Sequence, residues 1–200
     1  MNMRLVPPAA RAFAGAATIF TVLALPKSRA ALESAMVLHM GGQLPLLALA
    51  GVLLAAGLRP VEPLWLRKAD WLGLCGLTLA LFAVACWMLP RSLDGAIADA
   101  HVEVAKFVSL PLLLGLPLGL SWYRLPVLGR IFVIANFISM LGAVGGIYLL
   151  APTRLCAFYL LDQQSVTGKT LIAAAAILTL ATFFAALFGW TPRLRVKAAS

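Results

Sequence analysis

Six apolar stretches, each separated from the next by charges or prolines, leave this 200-residue chain few folds to choose from. They cover roughly 12–25, 36–58, 71–89, 107–122, 131–150 and 171–190. A hydrocarbon core about 30 Å thick needs about 20 apolar residues per helix, and a backbone inside it must satisfy its own hydrogen bonds. The pattern therefore predicts an all-α, polytopic integral membrane protein. It would be a single bundle of six transmembrane helices over residues 1–200, with a short basic N-terminus (1–11) and a basic tail (191–200) on the lipid surface. Composition agrees, because 62% apolar and 12% charged residues are too greasy a mixture for a soluble globule of 21.2 kDa. The same mixture excludes a disordered chain. The first stretch is the shortest and follows Arg4 and Arg11, a pattern shared with cleaved signal peptides. Lys27 and Arg29 interrupt the place where a cleavage site would lie, so the span is read as retained.

Charge gives the direction of threading. With six spans both termini share one side, which collects Arg4, Arg11, Arg59, Arg67, Lys68, Arg124, Arg130, Arg193, Arg195 and Lys197 against only Glu62 and Asp70. The other side carries Lys27, Arg29, Arg91, Lys106, Arg154 and Lys169, nearly balanced by five acids. Positive loops stay inside, which places both termini in the cytoplasm of a bacterial inner membrane. The net charge of +9 thus reads as contact with anionic lipid and not with nucleic acid. Pro111 and Pro117 bend the fourth span, and Gly142, Gly145 and Gly146 make a smooth patch for packing on the fifth. No internal repeat is evident, and no nucleotide, hydrolase or zinc motif occurs.

Ligand-type side chains gather at the outer end. Met36, His39, Met40 and Gln43 are spaced by three, four and seven, which puts them on one face of the second span. A thioether–imidazole–thioether set suits copper, above all cuprous copper, although a hydrogen-bonded histidine with methionine packing explains the same face. In the loop after the third span, Asp94 and His101 are seven apart and would share a face of one short helix. Asp99 reads as solvated, and Lys106 lies near enough to pair with Glu103. After the fifth span, Cys156, Tyr159 and Gln163 would line one side of an interfacial helix. There Asp162 either orients an imidazole or caps the sixth span. Cys156 is a further candidate thiol ligand, whereas Cys75 and Cys86 read as packing residues.

Three segments together resemble the CtaG-type membrane proteins, assembly factors linked to copper insertion into haem–copper cytochrome c oxidases. The family's His-Met-x-x-His-Met helix with its Pro-Leu-Leu sequel looks like Met36-Val37-Leu38-His39-Met40 and Pro45-Leu46-Leu47. Its Trp-x-x-Pro-x-x-x-Asp-x-Ala loop looks like Trp87 to Ala96, and its Asp-Gln-Gln motif looks like Asp162-Gln163-Gln164. Ala35 and Ala105 stand where the family has further histidines. The resemblance implies copper handling for a respiratory oxidase. His39, His101, Met36 and Met40 would be ligands, Asp94, Asp162, Gln43 and Gln163 would orient them, and the partner would be an oxidase subunit or a periplasmic copper carrier. Two other readings stay open: a cofactor-free accessory subunit that docks a respiratory partner, and a membrane haem-binding oxidoreductase subunit with His39 and His101 as axial ligands. No enzymatic turnover is expected, since no nucleophile or base beyond the two histidines presents itself.

Overall fold

A computed structural model describes residues 8–188; residues 1–7 and 189–200, which include the basic tail 191–200, lie outside the described residues. The chain is helical, and no strand occurs among the described residues. In order, the helices are α1 Pro8–Ala24, α2 Pro26–Glu33, α3 Met36–Val61, α4 Leu64–Ala69, α5 Leu74–Trp87, α6 Pro90–Ala98, α7 Ala100–Ser121, α8 Val127–Leu150 and α9 Leu161–Leu187. Four of them, α3, α7, α8 and α9, are long and apolar enough to cross a membrane. The pairs α1–α2 and α5–α6 each bend by 71°, and counting each bent pair as one span brings the total to six.

Both bends have the same local cause. Leu25-Pro26-Lys27-Ser28 and Leu89-Pro90-Arg91-Ser92 place proline at the first helical position, with the preceding leucine extended. Proline disfavours helical backbone in the residue before it, so one helix must stop and a new one start at an angle. Pro26 and Pro90 are 64 residues apart, as are Met36 and Ala100, which open α3 and α7. The chain therefore contains a repeat that its divergent side chains hide: α1–α2–α3 and α5–α6–α7 are two bent hairpins of the same direction. Such parallel repeats are related by an axis along the membrane normal.

The two hairpins cross at a third pair with the same spacing, Gly51 on α3 and Gly115 on α7. A Cβ on Gly51 would strike the Pro111 carbonyl oxygen and lie 2.8 Å from the Gly115 Cα. One on Gly115 would strike the Ala48 carbonyl and lie 2.8 Å from the Gly51 Cα. Backbone thus meets backbone, and only the absence of side chains permits it. Each long helix also contains a wide turn, at His39–Gln43 in α3 and Leu110–Gly115 in α7. In these turns the Leu44 and Leu116 amides bond five residues back, to the His39 and Pro111 carbonyls. Pro45, Pro111 and Pro117 supply no amide to the regular ladder, which favours the wider register.

The third hairpin, α8 and α9, closes on itself at Gly145 and Gly168, whose added Cβ atoms would each come within 2.9 Å of the other's carbonyl oxygen. Of the patch expected on the fifth span, only Gly145 packs in this way; Gly142 and Gly146 face open space. At the end of the bundle opposite the bends, the Asp70 carboxylate accepts hydrogen bonds from the Ser121 hydroxyl, the Arg124 guanidinium and the Cys75 and Gly76 amides. Burial opposes the charge on Asp70, but the bonds from Ser121, Arg124 and Gly76 outweigh it and hold its carboxyl below the usual carboxylate range. Arg124 also pairs with Glu62 at 2.8 Å, which ties the α3–α4 and α7–α8 connections together.

Replacing Gly51 with alanine should cost about 1–3 kcal/mol, because the new methyl meets backbone that cannot step aside. Gly142→Ala, which adds the same methyl in open space inside a helix, should not lower the unfolding midpoint of detergent-purified protein and should raise it slightly.

Candidate functional site

The rim that carries the two bends holds a buried polar cluster centred on Lys106 of α7, whose side chain is 0% exposed. Its ammonium donates to Glu33 Oε1 at 2.7 Å, to Gln43 Oε1 at 2.9 Å and to His39 Nε2 at 3.3 Å. Three N–H groups meet three acceptors, so no donor is left over. The far nitrogen of the imidazole, Nδ1, lies 2.8 Å from the Tyr159 hydroxyl, which in turn donates to the Glu33 carbonyl at 3.1 Å. One arrangement of hydrogens satisfies every group: Lys106 gives to Nε2, Nδ1–H gives to Tyr159, and Tyr159 gives to the backbone. Gln43 Nε2 closes the ring on Glu33 Oε1 at 3.2 Å. Outside it, Arg29 pairs with Glu103 at 2.9 Å and joins α2 to α7 a second time.

Local sequence explains the convergence. The wide turn at His39–Gln43 directs both His39 and Gln43 inward, and Met36, His39, Met40 and Gln43 are all buried. The 71° bend lays α2 across the rim, so Glu33 at its end reaches α7. Tyr159 arrives from the 151–160 segment, which is not the interfacial helix expected from sequence but an irregular strap. Gln164 holds the strap down: its Oε1 accepts from the Leu155 amide at 2.8 Å and its Nε2 donates to the Tyr148 carbonyl at 3.2 Å. Asp94 secures the other side, accepting from the Ala157 amide at 2.7 Å. Under the strap Cys156 is buried. Burial and the nearby Asp94 carboxylate push its thiol up to about 11, while Tyr148 pulls slightly the other way. Burial, followed by the charge of Glu33, also raises the Tyr159 phenol.

The sequence-derived candidates separate into groups. His39, Gln43, Met36, Met40 and Cys156 are buried at this rim, and Asp94 contacts the strap. His101 is exposed. The short helix expected to carry both Asp94 and His101 breaks at Asp99, which is extended and caps α7 by accepting from the His101 amide at 2.7 Å. The break puts Asp94 on α6 and His101 on α7. Lys106 does not pair with Glu103, because Glu33 is presented to it by α2. Asp162 is exposed in the first turn of α9, and Gln163 lies with it beside Ala35, Met36 and Val37, lining a hollow of about 130 Å³. The glutamine that anchors the strap is the neighbour, Gln164.

Copper fits this donor set poorly. The ring nitrogen of His39 that a metal would take already accepts from an ammonium, and a cation there would face the charge of Lys106 at close range. No group of three or more His, Cys, Asp and Glu side chains suited to a metal ion occurs among the described residues. Haem ligation meets the same obstacle, since both nitrogens of His39 are engaged and His101 lies outside the cluster. Comparison with family models, with curated proteins and with solved structures gives no match.

Lys106→Met should destabilise the protein by about 3–5 kcal/mol, because it leaves the Glu33 carboxylate without a counter-charge, and Glu33→Gln added to it should recover much of the loss. Thermal unfolding of the single and double variants in detergent measures both. Cys156 should resist N-ethylmaleimide at pH 7 in the folded protein and react after denaturation in dodecyl sulfate, as peptide mass spectrometry would show.

Proposed function

We propose that this is a CtaG-like protein of the bacterial inner membrane, with six spans and both termini cytoplasmic, that assists assembly of a respiratory haem–copper oxidase. The bend-bearing rim faces the periplasm and docks the partner, an oxidase subunit or a periplasmic copper carrier. One observation carries the reading. The three segments of the family resemblance, distant in sequence, meet at one rim, where His39 of the first bonds Tyr159 of the strap, Asp94 of the second bonds the strap backbone, and Gln164 of the third bonds the Leu155 amide of the same strap. The excess of positive charge at the Asp70 end of the bundle supports the orientation. His101, Asp99 and Asp162 are exposed on the rim and available to a partner.

The role of the buried cluster in this reading is to fix the shape of the docking rim. His39 is thus a structural residue, and copper is the partner's cargo. Resident Cu(I) is the second reading. It draws on the soft sulfur side chains of Met36, Met40 and Cys156, all of which are part of the buried core.

Deleting the chain from its host should lower oxidase activity, and His39→Gln, which keeps a hydrogen-bonding side chain in place, should restore most of it. Protein purified under reducing conditions should carry far less than one copper per chain. Stoichiometric copper that disappears when Met36 and Met40 are both replaced by leucine would establish the metal site instead, and full oxidase activity in the deletion strain would end the assembly reading.

A further inference from the structure

The connection between α3 and α5 presents a bare surface at the Asp70 end of the bundle. Its helix, α4, has no buried residue. Leu64 and Trp65 are 71% and 70% exposed, and Trp71, just past the helix, is 71% exposed. Arg67 and Lys68 are exposed as well and form no ion pair among the described residues. The two carboxylates of this end, Glu62 and Asp70, are both taken by Arg124, at 2.8 Å each.

A helix of six residues with no packed face does not hold together alone in water. Its side chains define the surroundings that support it. Leu64 lies three and four residues before Arg67 and Lys68, and Trp65 three before Lys68, so large apolar and cationic groups share the outward side. Water leaves the two indoles and the leucine bare, and hydrocarbon penalises the two cations. The boundary of a bilayer offers acyl chains to the first and phosphates to the second. Depth agrees, because α3 has 26 residues, about 39 Å at 1.5 Å per residue, against a hydrocarbon core of about 30 Å. The chain has therefore left the core when α3 ends, and α4 begins three residues later.

We propose that α4 is a bilayer-surface helix that binds anionic phospholipid. Arg67 and Lys68 hold headgroup phosphates, while Leu64, Trp65 and Trp71 lie among the upper acyl chains. A choline headgroup brings its own cation, which two unpaired cations repel, whereas a glycerol headgroup leaves the phosphate charge uncompensated. The surface is independent of the assembly reading and shares no residue with the polar cluster at the other rim.

Nanodiscs of phosphatidylcholine mixed equally with phosphatidylglycerol test this. Native mass spectrometry of protein released from them should find phosphatidylglycerol retained in preference to phosphatidylcholine. The preference should fall about fivefold for each cation removed by Arg67→Gln and Lys68→Gln, and Arg67→Lys should keep it. Lys27→Gln combined with Arg91→Gln, which removes two exposed cations at the opposite end, should leave it intact. Phosphatidylglycerol brominated on its upper acyl chain should quench the fluorescence that is lost in Trp65→Phe. Unfolding midpoints of the variants guard against misfolding. Absence of any preference in the wild type, or a preference that survives removal of both Arg67 and Lys68, would overturn the proposal. An equal loss in the Lys27 and Arg91 double variant would show attraction by bulk charge and overturn it too. So would a Trp65 that the brominated lipid leaves unquenched, and a dimer in the same spectra would then assign the surface to a second copy.

Discussion

An ammonium group out of reach of water is the constraint around which the rim is organised. Lys106 can stay charged at 0% exposure only because three acceptors reach it from two other parts of the chain, Glu33 from α2, and Gln43 and His39 from α3. Removing a charge from water is expensive, and the pairing offsets it only when every proton finds a partner. Each acceptor therefore depends on a backbone feature. The proline bend delivers Glu33, the wide turn delivers His39 and Gln43, and the strap holding Tyr159 fixes the imidazole from its far side.

The two ends of the bundle use charge differently. At the Asp70 end, Arg124 joins two connections through carboxylates that lie next to the chain turns, so the ion pairs clamp loops. At the Lys106 end, the charges lie on helices that contact one another inside the rim. The backbone crossing of Gly51 on Gly115 lies between, and it needs no polar group because close approach suffices. The third hairpin shares little of this: only 6% and 11% of the most apolar windows of α8 and α9 are buried, against 33% and 39% for α3 and α7. At the rim its hydrogen bonds to the other two hairpins run through the strap.

Much of the architecture was legible in the residues. Apolar length marked the helices, and the spacing of Met36, His39, Met40 and Gln43 correctly placed all four on a face that is buried. Proline at 26 and 90 was visible as well, but its consequence was not: the repeat becomes evident only when the matching bends and the Gly51–Gly115 contact are seen together. Lys106 was assigned to Glu103 because sequence-local pairing is what helical periodicity reports. Its partner Glu33 is 73 residues away, and no periodicity encodes that distance. The same limit explains Asp94 and His101. A seven-residue spacing implies a common face only if the helix is continuous, and the aspartate at position 99 ends one helix and caps the next. Choosing Gln163 over Gln164 was an error of one residue, and along a helix that turns the side chain by about 100°.

The repeat also separates what is old in this architecture from what is particular to one half. At the spacing that relates Pro26 to Pro90, Lys106 corresponds to Gly42, Glu33 to Ile97 and His39 to Glu103. Two identical copies of the first hairpin could still cross through Gly51 against Gly51, as a symmetric pair, since glycine stands on both sides of the crossing. They could not build the polar cluster, which needs a lysine where the first hairpin has Gly42. The helical frame is thus compatible with an ancestor made of paired single hairpins, whereas the charged rim required the two copies to be fused and then to diverge.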